Sequence, residues 1–228
     1  MNKYLIFVEG IADSTFLRDY LIFLFNDLSI KNHGKNEKVL ENQNTSIKIR
    51  ILGGKDAIKE GKIKNTILDA WATEHKIITI QDADNRHDYR KAELQNIKAD
   101  LLEEFKQKFP NVNPSFDIFL LPDNQNDGEL EDLLLKIAKT EYFEKTNNCY
   151  TQWIECIKTF STTEIVDERY SNKSLIFNYF ANYYGMKGAR EENRRYEKDY
   201  WDFSHITLEP LKDFLTQIIT DVTGHKKI

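Results

Sequence analysis

Four short strand-like runs, each followed by a turn and then by apolar residues three or four positions apart, leave this chain little choice of fold. Residues 4–8 are apolar throughout, as in strands covered on both faces. The run stops at Glu9-Gly10, after which Leu17, Tyr20, Leu21, Leu24 and Leu28 mark one face of a helix starting near Asp13 or Ser14. The polar residues 32–45 are expected to form a loop. Residues 47–52 alternate in strand fashion, and Gly53-Gly54-Lys55-Asp56 opens a helix carrying Ile63, Ile67 and Trp71. Residues 77–80 run straight into Gln81-Asp82-Ala83-Asp84, and a third helix carries Leu94, Ile97, Leu101, Leu102 and Phe105 before Pro110. Residues 116–121 read as a fourth strand, 122–128 as a loop, and Leu130, Leu133, Leu134 and Ile137 as a fourth helical stripe.

Strands joined through helices pair in parallel with right-handed crossovers, so the expected fold is α/β: a four-stranded parallel sheet flanked by helices. From about residue 141 the strand-like runs vanish. Helical spacing continues at Trp153-Ile154-Ile157, at Leu175-Phe177-Phe180 and from Leu208 to Ile219. The expected organisation is an α/β domain over 1–140 and a helical appendage over 141–228, packed on it.

Net charge −5 argues against coating nucleic acid by bulk charge, so any such contact needs a local basic patch or a bound cation. With 40% hydrophobic residues, including 14 Phe and 11 Tyr, the chain can bury a substantial core, which excludes general disorder. No apolar run approaches the roughly twenty residues of a membrane-spanning helix, and Glu9 interrupts the first one before a signal-peptide core forms. A cytoplasmic protein with no membrane contact is expected. Cys149 and Cys156 match no zinc spacing and are expected to be buried or half-buried thiols.

The acidic residues fall where chemistry is expected. Ligands of parallel α/β sheets bind beyond the carboxyl ends of the strands. Glu9 ends the first strand, and Asp82 and Asp84 end the third. Ionised carboxylates ~5 Å apart repel by roughly 3 kcal/mol at an effective dielectric of about 20, so protons or a hard cation must neutralise them. An all-oxygen set on short turns suits Mg²⁺, or Mn²⁺, better than zinc. Taken singly, Glu-Gly is ordinary turn chemistry and Asp-x-Asp an ordinary helix start. Their joint placement after apolar runs is what points to a site.

In Phe7-Val8-Glu9-Gly10 and Ile80-Gln81-Asp82-Ala83-Asp84 the chain resembles the Toprim superfamily of topoisomerases, primases and nucleases, over about residues 3–138. The resemblance implies a compact parallel α/β fold, with Glu9 as acid/base and Asp82 and Asp84 holding Mg²⁺. The nearest likeness is to stand-alone bacterial Toprim-like proteins and to the Toprim domain of the overcoming-lysogenization-defect nucleases. That likeness adds Asp13, four positions after the glutamate, and Glu131, within Gly128-Glu129-Leu130-Glu131-Asp132, as ligands for a second ion. Asp13 equally suits a helix N-cap, and Glu129 or Glu131 equally complements a helix dipole. Those nucleases carry an ATPase, whereas no Gly-x-x-x-x-Gly-Lys-Ser/Thr motif occurs here. A protein partner supplying ATPase or strand-handling function is therefore expected, with the oligomeric state left open.

For phosphate or nucleic-acid contact the candidates are Lys55 after Gly53-Gly54, Arg86 and Arg90 after the aspartates, and Lys187 and Arg190 in the basic, aromatic stretch 183–196. His87 is a candidate proton shuttle, although an exposed polar loop explains it as well. Together these readings give Mg²⁺-dependent phosphodiester chemistry on DNA or RNA, of nuclease type. The alternatives are a non-catalytic metal- or nucleic-acid-binding subunit and nucleotidyl transfer of the primase kind.

Overall fold

The computed structural model describes residues 1–34, 36–164, 166 and 171–219. Its central strand, β1 (Asn2–Val8), is the apolar run at the start of the chain. Successive side chains of a strand face opposite ways, and Tyr4, Ile6 and Val8 enter one core while Leu5 and Phe7 enter the other. Tyr4 to Val8 are all at most 3% exposed, so the strand is covered on both faces.

The helix after β1, α1, spans Ile11–Leu24, starting a few residues earlier than its apolar spacing suggests. Residues 32–45, expected as a loop, instead contain most of an antiparallel hairpin, β2 (Ser29–His33) and β3 (Glu37–Glu41). Polar outer faces hide these strands from a hydrophobic pattern. On β3 the buried side chains are Leu40 and, unexpectedly for its charge, Lys38, and Ile30 stays 46% exposed on β2. β4 (Thr45–Ile51) pairs antiparallel with β3 and parallel with β1. A 3₁₀ turn at Lys55–Lys59 then leads to α2 (Gly61–Ala72), so the Gly-Gly-Lys-Asp segment opens a tight turn rather than the α-helix itself.

The chain continues through β5 (His75–Asp82), α3 (His87–Lys108), β6 (Phe116–Leu121) and α4 (Leu130–Ile137). The sheet order is β2-β3-β4-β1-β5-β6. The protein is thus α/β as expected, with β4, β1, β5 and β6 forming a contiguous parallel block, but the sheet has six strands rather than four.

Beyond α4 come α5 (Thr140–Lys158), α6 (Asn172–Ala189, kinked at Gly185) and α7 (Glu209–Ile218). Ile176, Tyr179, Phe180, Trp201, Leu211 and Leu215 share one apolar core with Tyr4, Ile6 and Val8. The α7 ring of Phe214 lies 5.1 Å from that of Phe119 on β6. The other sheet face is covered by α2 and α3 through Ile67, Trp71, Leu94 and Phe105. Cys149 and Cys156 are exposed free thiols, not buried ones, because the packed side of α5 is taken by Tyr150, Ile154 and Ile157. Among the described residues no helix is long and apolar enough to cross a membrane.

Candidate functional site

Parallel pairing sets the carboxyl ends of β4, β1 and β5 side by side. Val8 pairs with Ile51 on one side and Ile80 on the other, which places Glu9 and Asp82 along one edge. The loop after β4 is tied to that edge: Leu52 N–H donates to the Val8 carbonyl at 2.8 Å and Gly53 N–H to the Glu9 carbonyl at 3.1 Å. Gly53 and Gly54, with φ of 86° and 132°, take a path that side-chain-bearing residues rarely adopt, and both line the resulting cleft.

The cleft encloses about 560 Å³ and brings together Glu9, Asp13, Asp82, Glu131, Lys173 and Glu191. Asp13 is 8% exposed, and its Oδ2 accepts from Gly10 N–H at 2.7 Å, so it sits in the first turn of α1 rather than at the N-cap. Asp82 Oδ1 accepts from Leu130 N–H at 2.8 Å, at the first turn of α4. Glu131 is 6% exposed. Burial raises the pKa of Asp13, against the Gly10 hydrogen bond, and the charges of Glu9, Glu131 and Glu191 raise it further. Burial likewise raises Asp82, with Asp13 and Glu9 adding to the shift and the Leu130 N–H opposing it. Glu131 is raised by burial, with Lys173 opposing. Without a cation Asp13, Asp82 and Glu131 therefore hold a proton more tightly than free carboxylates do.

Lys173, on α6, is the basic side chain lining this cleft. It pairs with Glu129 Oε2 at 2.7 Å. Burial depresses its pKa, but the Glu129 hydrogen bond and the charges of Glu131, Glu129 and Asp82 outweigh that and push it up to about 12. Asn172 Nδ2 donates to Asp132 Oδ1 at 2.7 Å and anchors the same helix end to α4. Glu191 and Lys173 escape a reading based on strand ends because both lie far along the chain, in helical and 3₁₀ segments whose packing no local pattern reveals. The Asn-Lys at the start of the helical stripe of α6 is the available trace of them.

Asp84 does not join the other four acids. Its φ of 53° and its pairing with Gly128 turn the chain, and it lines a neighbouring cavity of about 570 Å³ with Arg86, Glu129 and Asn172. Glu131 and Lys173 line both cavities and form their common wall. Gly128, at φ 143°, is required there: a Cβ would lie 2.9 Å from both Asp132 Oδ2 and Pro122 Cδ.

The proposed basic contacts divide. Arg86 is exposed beside Asp84, with its guanidinium 5.4 Å from the Tyr89 ring. Arg90 is buried and bonded to Gln81 and Glu93, so it braces β5 against α3. His87 is 6% exposed rather than in an open loop, with Nδ1 3.0 Å from Asp88 Oδ1. Lys187 and Arg190 are exposed and line neither carboxylate cavity. The Lys55 side chain lies outside the described part of the structure.

Oxygen-only donors in a buried, mutually repelling group fit a hard dication in chemical type. In geometry they do not form a finished cage, because among the described residues no three His, Cys, Asp or Glu side chains converge on one point. A dication here would take one or two carboxylates, with water and a substrate oxygen completing its shell.

Fold and site thus define an α/β protein with an acidic cleft at the carboxyl edge of a mainly parallel sheet. The chain belongs to the family described as "Protein of unknown function (DUF3226)", whose profile matches residues 3–220. No curated protein matches it. Among solved structures, the crystal structure of a hypothetical protein from Pyrococcus horikoshii OT3 is similar at 16% identity and a TM-score of 0.46, covering 98% of this chain and 100% of that one.

Proposed function

We propose that this protein carries out Mg²⁺- or Mn²⁺-dependent phosphodiester chemistry on nucleic acid, as a nuclease of Toprim type. The observation that carries the reading is the gathering of Glu9, Asp13, Asp82 and Glu131 in one cleft at the strand ends, with Asp13 and Glu131 buried and the proton affinities of Asp13 and Asp82 raised by burial and by their acidic neighbours. Asp82 and Glu131 would hold the dication, and Glu9 would take the acid/base role. The ion would neutralise the carboxylates and polarise a phosphoryl oxygen. Asp84 and Arg86, across the shared wall, would meet the substrate rather than the same ion. The helices after residue 141 act in this reading as an appendage that completes the cleft through Lys173 and Glu191, in a cytoplasmic chain.

The test is cleavage of labelled single-stranded, duplex and structured DNA and RNA in Mn²⁺ and Mg²⁺. Wild type should cleave at least one substrate, and Asp82→Asn should lose at least about a hundredfold in rate while keeping its circular dichroism spectrum. An Asp82→Asn protein as active as wild type would remove the reading. The second reading is a subunit that binds metal or nucleic acid without turnover. Tight binding with no cleavage under any of these conditions would select it.

A further inference from the structure

A third cavity, of about 330 Å³, adjoins the acidic cleft and shares Glu131, Lys173 and Glu191 with it. Its outer part is made by α5 and α6. Tyr150 and Trp153 stack there with ring centroids 5.6 Å apart and planes 29° from parallel. Trp153 is 46% exposed and stands outside the core that Tyr150, Ile154, Ile157 and Leu175 form. An exposed indole backed by a second ring offers a flat apolar face on which another planar ring can stack.

Arg194 lines the same cavity, 4% exposed. Its Nε donates to the Ala189 carbonyl at 3.3 Å, its guanidinium lies 5.0 Å from the Phe180 ring and next to the Tyr196 hydroxyl, and its buried Nη1 makes no well-formed hydrogen bond. No ion pair reaches it among the described residues, although buried guanidinium groups are normally matched by an anion. Glu131 offsets its charge through space, and a dication on Glu131 would cancel that offset.

We infer that this cavity is a nucleotide subsite, in which a base stacks on the Tyr150–Trp153 pair and the attached phosphate is drawn to Arg194, one wall away from the carboxylates. The inference rests on the phosphodiester reading for its substrate class, and names the part of the chain that grips the strand. Base–aromatic stacking with an adjacent Arg is the usual physics of single-strand binding. The subsite takes a nucleotide either free or at an unpaired stretch of a strand.

The experiment measures anisotropy of a labelled short oligothymidylate, and tryptophan fluorescence during titration with thymidine monophosphate, in EDTA and again in Mn²⁺. Trp153→Ala should weaken oligothymidylate binding about fivefold or more, and Arg194→Met about tenfold. A response to both probes assigns the subsite to free nucleotide as well as strand, and a response to the oligomer alone assigns it to strands. Wild-type affinity in both variants, or no binding by wild type in either buffer, overturns the inference. Should Arg194→Met fail to fold, Trp153→Ala decides alone. Metal uptake is read separately, so weakened variants in a protein that takes up no Mn²⁺ would sustain the subsite and sink only the metal-dependent reading.

Discussion

Asp13 and Asp82 carry the clearest electrostatic signature in the molecule. Both have folded-state pKa values raised above their ordinary 3.8, chiefly by burial and then by neighbouring carboxylates. Above that value the native state holds more protons than the unfolded chain, so raising the pH costs native stability. In EDTA the melting temperature is therefore expected to fall between about pH 5 and 8, and saturating Mg²⁺ should flatten the slope by replacing the protons. Asp82→Asn keeps an oxygen for Leu130 N–H and removes the charge. At about pH 8 in EDTA it should melt ~2–4 °C above wild type. A flat or rising wild-type profile, measured by calorimetry, would mean that the acids are not mutually strained. The positions of Glu9, Asp82 and Glu131 are legible in the sequence because each follows an apolar run or opens a helical stripe. That Asp84 turns away is not, since the decision is made by its positive φ and the bridge to Gly128.

Of the four parallel strands, β1, β5 and β6 are readable because burial on both faces writes near-continuous apolar runs, and β4 because isoleucines alternate with Lys48 and Arg50. The β2–β3 hairpin is not, because one face is solvated and its core contribution is concentrated in Leu40. Lys38 shows how little a binary pattern says here: it is 2% exposed and donates from Nζ to Ser14 Oγ at 2.7 Å. Leu40 packs in the same core as Ile47, Ile49 and Phe16. Leu40→Ala should cost about 2–4 kcal/mol in urea unfolding. A loss below about 1 kcal/mol would mean that the hairpin packs loosely against the sheet and α1.

At the scale of the whole molecule, the cleft is made by both ends of the chain. α1 and the segment around Glu191 meet directly: Thr15 Oγ1 donates to the Glu191 carbonyl at 3.3 Å, and Arg18 Nη2 to the Arg194 carbonyl at 3.1 Å. The 3.6-residue period makes the later helices legible as helices, but their periodicity says nothing of which residues they deliver to a distant sheet edge. Lys173 is the case in point. It supplies positive charge to an otherwise acidic wall, and Lys173→Met should change metal affinity by severalfold in titration calorimetry while leaving the fold intact. An unchanged affinity would place its ammonium outside the reach of the bound ion. The most direct measurement of the central claim is an anomalous difference map from a crystal soaked in Mn²⁺. A peak is expected inside the cleft lined by Glu9, Asp13, Asp82 and Glu131, and a map with no peak there at saturating Mn²⁺ would contradict it.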